Sequence, residues 1–480
     1  MNPQDNPYQP ISLRTFHNGL IQESVVDEFM LPEGTVSTVK NLNFDTIGAA
    51  KVRPGITTLG NDMGSNTIVG LHQFLDEGAG SDDRLIAVHG TVAYYLNGAT
   101  WTNKRTGLTA NAKARFTNFV DSVFMVNGND AMNSWDGGSA TSFGTTNCVA
   151  APAARFIDNF RTRLWAANTA ANPSRLWYSS VADLSGGILW SGDDYGYIDI
   201  SPGDGEDITG IQKFSQFLLV FKKNYTYRVY SKNDTEPDPY IFVGTYSQES
   251  VQLAKDGVYW HHPSGIYRLR RGDGYPHEIS KPITGYIEAV DRSYYDDVSS
   301  WDDDDHVYFA IGSVTVDGKT INNCVLRWTI STEVWTVYSY ATELMVGARY
   351  DDGSDILTVV GDTSGKVYKL NTGTTDNTVA INYTLETPPY TFTGLRSDTK
   401  IINQLSALHS GNPGADIFYR PDNQDDPLPI GSLEKETTTF SDLELEGKKI
   451  RFSVNGVSDD GSFELNGFEI TKWLTKGIEV

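Results

Sequence analysis

Cysteine is scarce in this chain of 480 residues, with two copies, and methionine follows with six. Cys148 and Cys324 stand far apart, with no CxxC and no histidine at metal-ligand spacing. That argues against a zinc site and leaves two buried free thiols, with no metal or cofactor expected. Long apolar runs are missing as well. The longest, Phe217-Leu-Leu-Val-Phe221, is too short to span a bilayer, so no membrane insertion is expected. Met1-Asn-Pro-Gln-Asp-Asn-Pro-Tyr8 offers neither a basic stretch nor an apolar core, so no secretory signal is read there. A soluble protein made in a reducing cytosol is the expectation. Positive charge is the other shortage: 38 Lys plus Arg face 61 Asp plus Glu, a net −23. Such a balance is a poor basis for gripping nucleic acid over a broad surface, which needs clustered cations.

Catalytic signatures are absent too. There is no Gly-x-Ser-x-Gly elbow, His-Glu-x-x-His helix or Walker loop. The eight His are scattered, and His261-His262, just before Pro263, reads as a solvated loop. Carboxylates abound, but nothing marks one pair as desolvated for glycosidase chemistry. The sialidase signature is met only in its second half, by Gly98-Ala-Thr-Trp101; Tyr94 and Leu96 stand where its Ser and Asp belong. An enzyme is therefore not expected.

What the chain does have is a repeat. Gly is high at 45 and Tyr at 25, a composition of short strands and tight turns. Seven strand–turn–strand units pair 85–90 with 91–96, 122–128 with 132–135, 163–167 with 175–179, and 217–221 with 225–230. The remaining units pair 258–261 with 266–270, 307–311 with 324–328, and 356–360 with 366–370. In each, the first strand is almost continuously apolar, as if buried on both faces, and the second alternates. Turns at Gly90, Gly128, Asn172-Pro173, Asn224, Gly265, Gly318 and Gly365 recur on average about 46 residues apart. That period fits β-propeller blades of four strands each. The expected fold is all-β: a propeller of six to eight blades over 61–381, with an antiparallel sandwich-like platform over 382–480. Residues 1–60 are read as an extended segment serving assembly or propeller closure.

The strand before each unit ends on an aromatic, as in Arg115-Phe-Thr-Asn-Phe119 and Arg155-Phe-Ile-Asp-Asn-Phe160. Acidic connections follow: Asp76, Glu77, Asp82 and Asp83, then Asp121, Asp256, the run Asp302, Asp303, Asp304 and Asp305, and finally Asp351, Asp352 and Asp355. Equivalent loops of successive blades share a face, so one rim of the disc is expected to be strongly negative. The Asp302–Asp305 run lacks the Gly-punctuated spacing of a calcium loop. Basic residues gather at Lys213, Lys222, Lys223, Arg228 and Lys232, and again at Arg268, Arg270 and Arg271. They form a candidate docking patch, facing acidic surfaces within the subunit or across an assembly interface; nucleic-acid contact is the sharper alternative.

The N-terminal segment carries a signature. Leu31-Pro32-Glu33-Gly34, Asn41-Leu-Asn-Phe44-Asp45, Gly48 and Arg53-Pro54-Gly55-Ile56 resemble the opening of the packaged-DNA stabilisation proteins, the tail hubs or nozzles of short-tailed bacteriophages. The likeness continues at Arg175-Leu-Trp-Tyr-Ser179, at Asp199-Ile-Ser-Pro-Gly-Asp-Gly205 followed by Ile208-Thr-Gly-Ile211, and at the Gly361–Tyr368 turn. It covers roughly 19–370. The resemblance implies a propeller in a six-fold homo-oligomeric ring below the portal and its adaptor, in the virion tail. Such a channel retains the genome and lets DNA pass on ejection, and its acidic surface would keep DNA from adhering. Hairpin insertions near 180–206 and 310–323 would be candidates for a gate. Two rival readings stay open: a receptor- or glycan-binding propeller of the tail tip that uses its aromatics as stacking platforms, and a propeller glycosidase.

Overall fold

In the computed structural model, the described residues are 10–14, 16–22, 31–75, 83–182, 188–234, 237, 239–391, 398–422, 424–434 and 436–476. Seven antiparallel sheets follow one another along the chain at 68–105, 115–135, 156–199, 210–241, 252–278, 299–339 and 344–369. Each is a simple up-and-down sheet, its strands here called a to d from first to last. Six have four strands. The second has three, extended by a bridge between Ser134 and Gly144. This is a β-propeller, and its blade number is seven, inside the expected range.

The continuously apolar b strands now have a physical reason. Alternate residues of a strand point to opposite faces of its sheet, and here both faces meet another blade. In blade 1, Leu85 and Ala87 pack with Val359 and Val367 of blade 7, while Ile86 and Val88 pack with Val123 and Met125 of blade 2. Blade 3 repeats the rule. Leu164 and Ala166 face blade 2, and Trp165 and Ala167 face blade 4. A polar residue at the middle of a b strand would therefore lie between two sheets, not at a surface.

Ring closure uses the N-terminal segment. Thr57–Thr58 pairs with Val367–Lys369 and supplies the outermost strand of blade 7. Blades 7 and 1 also meet directly, so closely that a Cβ on Gly361 would sit 2.6 Å from Ile68 Cβ.

The rest of the N-terminal segment is woven into two further sheets. In one, Thr399–Ser410 and Glu464–Lys476 are the central pair, flanked by Ile11–Arg14 and Ala50–Val52. In the other, Thr38–Lys40 pairs with Ile381–Glu386, which pairs in turn with Ile450–Ser458. Leu385, Ile417, Phe452 and Val454 of this sheet share one core with Ile402, Leu405, Phe468 and Ile470 of its partner. The C-terminal unit is a β-sandwich completed at its edges by residues from the chain's beginning.

Blade 6 carries the hairpin anticipated near 310–323, because its b and c strands, His306–Val316 and Lys319–Thr329, run to eleven residues each. Ile311, Val314 and Ile321 are buried in the core shared with the sandwich and with Tyr286 and Ile287. The extension braces the join between the two units. Of the stretch expected at 180–206, residues 183–187 lie outside the described residues; Ile188 and Trp190 are buried with Phe124 and Cys148, and Gly196–Asp199 is the d strand of blade 3. Among the described residues, no helix is long and apolar enough to cross a membrane.

Candidate functional site at the propeller axis

The a strands of blades 1 to 4, innermost in the propeller, surround a cavity of two adjoining lobes. One lobe, about 490 Å³ and called deep only because the four a strands wall it, is lined by Leu71-His72, 114–118, 157–159 and 211–213. The outer lobe, about 320 Å³, opens where the connections into the a strands emerge. Arg115, Gln248 and Glu249 belong to both walls.

Polar groups in the deep lobe satisfy one another. His72 Nε2 meets Asn118 Oδ1 at 2.8 Å, and the Asn118 amide donates to Gln73 O at 3.0 Å. The imidazole stacks on Phe116, and burial pushes its pKa down to about 4, so it is neutral near pH 7. Asp158 accepts backbone N–H bonds from Lys213 at 2.6 Å and Asn159 at 2.7 Å. Burial nevertheless raises its pKa to about 6. Between the lobes, Glu249 is clamped by Arg115 at 2.6 Å and Lys113 at 3.6 Å, and Lys113 also reaches Asp297 at 2.9 Å.

The outer lobe differs. Arg155 and Asp207 line it with side chains that have no partner among the described residues, and the Lys223 ammonium only overlies the Tyr246 ring at 5.2 Å. Two amides are half engaged. Asn168 donates to Ile208 O at 2.7 Å and keeps its oxygen, while Gln248 Oε1 accepts from Ile211 N at 2.6 Å and keeps its N–H donors.

The acidic residues expected on one rim do gather at one set of hairpins where they are described, but that face is not the only acidic one. Asp76, Glu77 and Asp82 fall outside the described residues. Asp83, Asp121, Asp256, Asp303, Asp304, Asp305 and Asp352 do occupy a–b hairpins, with Asp302 and Asp351 ending the strands before them. Blades 3 and 4 have Arg161-Thr162 and Ser215-Gln216 at the equivalent turns. The opposite face is acidic as well, at Asp130, Asp204, Glu206, Asp207, Asp296 and Asp297. Acid is thus spread over both faces, and many of these carboxylates serve their own turn or ion pair. Asp302 is buried and accepts from Gln252 at 2.6 Å; Asp304 pairs with Arg349 at 2.6 Å and Asp305 with Lys255 at 2.7 Å. Asp256 binds Arg270 and the Tyr259 hydroxyl, the Asp351 carboxylate accepts from Gly353 N while its backbone joins Gln73 of blade 1, and Asp352 caps its own turn.

Nor do the basic residues form one surface. Lys222 is fully buried on Asp204 at 2.7 Å, and Lys232 reaches Asp194 at 2.6 Å across blades. Arg268 and Arg270 share Glu333, Lys213 donates to Asn159 at 2.8 Å, and Arg228 lies 3.4 Å over the Tyr240 ring. Lys223 and Arg271 remain exposed, on opposite faces. His261-His262 is corrected outright: the pair ends the strand Gly257–His262, and His261 is buried, its pKa pushed down to about 3 by burial.

The N-terminal signature builds a joint. Arg53, wholly buried, holds Asp376 with both terminal nitrogens at 2.8 and 2.7 Å. Its other N–H groups reach Asn41 Oδ1, Pro54 O and Ser339 O, so all five donors are used. Asn41 extends the network to Asn382 O in the sandwich at 2.7 Å. At Gly55 no side chain fits, since a Cβ would stand 1.9 Å from Thr375 O. Nearby, His306 of blade 6 lies between Asp303 and Asp45 of the N-terminal segment, and Arg327 adds a 2.7 Å contact to Asp45.

Sequence reasoning passed over the axial residues. The signal was present in the two a strands that share an Arg, a Phe and an Asn-before-strand-end, where Arg115 and Arg155, and Asn118 and Asn159, all line the axis.

No family model and no curated protein matches the chain. Among solved structures it is similar to the computationally designed Ika8 protein, at 10% identity and TM-score 0.37, over 65% of this chain and 99% of that one. YCF48 bound to D1 peptide is similar at 10% and 0.39, over 66% and 97%. A chain of the Mitotic Checkpoint Complex is similar at 8% and 0.40, over 67% and 95%. The propeller assignment rests on the chain's own seven sheets.

Proposed function

We propose that this chain is a non-enzymatic structural protein of a phage tail, a hub or nozzle subunit. In this reading, six copies form a ring below the portal and adaptor, in the virion, that retains packaged DNA and lets it pass on ejection. The observation that carries the reading is the joint. The signature residues Asn41, Arg53 and Gly55 fasten blade 6, the linker at Asp376 and the sandwich into one unit. A subunit that withstands packaged DNA needs its propeller and platform to move together. The paired state of most interior charge fits the same purpose, because pairing fixes geometry instead of leaving reactive groups. Electron microscopy of virions that contain the chain tests the proposal. A ring of disc-shaped densities in the tail is expected, and virions that lack the chain in their tails would refute it.

A further inference from the structure

We infer that the outer lobe of the axial cavity is a saccharide-binding site. Sugar hydroxyls donate and accept at once, so they are matched by a wall that offers both kinds of group at fixed positions. Here the wall does so. Asn168 is tied to Ile208 O by its N–H and presents an acceptor; Gln248 is tied to Ile211 N by its oxygen and presents donors. Because each amide is anchored at one end, little ordering is left to do on binding. At the rim, Arg155 adds donors and Asp207 acceptors, neither committed to a partner among the described residues.

The lining as a whole is suited to a ligand of little net charge. Lys113, Arg115, Arg155 and Lys223 face Asp207, Glu249 and Asp296, a near balance inside a chain of net −23. Glu249 is already neutralised by Arg115, so it does not compete for the ligand. The lobe's volume of about 320 Å³ suits roughly one or two hexose rings. The deep lobe shares Gln248, but it lacks Asn168, Arg155 and Asp207, and its own His72, Asn118, Asp158, Asn159 and Lys213 are engaged with one another or with backbone. The site stands apart from the ring proposal, because a ring can form with the cavity empty.

Saturation-transfer NMR on the full chain tests it, with methyl glucoside, methyl galactoside, N-acetylglucosamine and rhamnose as probes. At least one probe is expected to receive saturation at millimolar concentration. Gln248→Glu keeps the acceptor for Ile211 N and removes the donors, and Arg155→Ala changes an exposed side chain. Each should weaken binding about tenfold with thermal unfolding unchanged. Absence of transfer to every probe, or transfer unaltered in Arg155→Ala and Gln248→Glu alike, would overturn the inference.

Discussion

The joint and the axis both bring charged groups off the surface, and they treat them in opposite ways. At the joint, every donor of Arg53 has an acceptor and no opening remains. At the axis, pairing is extensive in the deep lobe, and the outer lobe keeps donors and acceptors in reserve. Desolvating a charge is costly unless its partners are all in place, so a closed network fixes architecture. A partly open one next to a cavity leaves chemistry for a ligand. The same residue type, arginine, serves both ends: Arg53 holds the fold and Arg155 faces solvent.

The sharpest way to break this contrast is to truncate both arginines. Arg53→Ala strands Asp376 in the interior and should cost roughly 3–5 kcal/mol in urea unfolding. Arg155→Ala should stay within about 0.5 kcal/mol. Equal losses would erase the distinction. Next comes Lys222→Ala, which removes a buried ammonium from a partly exposed Asp204; a loss of about 1–3 kcal/mol is expected.

A pH series addresses the edge of the joint. Burial opposes the charge on His306, but its hydrogen bonds to Asp303 and Asp45 outweigh it and raise the pKa above 6.5. That contribution is complete below the unfolded value and is lost as pH climbs through the folded one. Asp45 and Asp303 work the other way. Burial disfavours their charge, yet His306 lowers both below 3.8, with Arg327 acting on each, so their contribution is lost as pH falls. The melting temperature should therefore decline above neutrality, and His306→Gln should flatten that decline. An unchanged slope would remove His306 from the joint. The smallest effect concerns a turn: Val120, a β-branched residue at φ 43°, adopts a left-handed backbone. Val120→Gly should stabilise the chain by about 1 kcal/mol, measured by thermal unfolding.

Much of the fold was legible because blades repeat. Continuous apolar b strands and turns such as Gly90 and Gly365 report local burial and backbone demands, and both recur in sequence. Long-range features were not legible. A role in assembly or propeller closure could be read for residues 1–60, but nothing in Thr57–Thr58 itself marks the strand that completes blade 7. Charge was misread for a related reason: composition shows that Asp304 and Asp305 are acidic, but not that Arg349 and Lys255 reach them from the two neighbouring blades. His261 looked solvated beside Pro263, whereas the b strand it ends runs between two blades. The axial site depends on side chains from four blades, which no local pattern brings together.

The central claim is that the chain is one subunit of a ring, and the mass of the native assembly tests it most directly. Native mass spectrometry of the purified full chain should find six copies of the 53.0 kDa chain. A monomer at every concentration, in virion extracts as well as in purified protein, would contradict it.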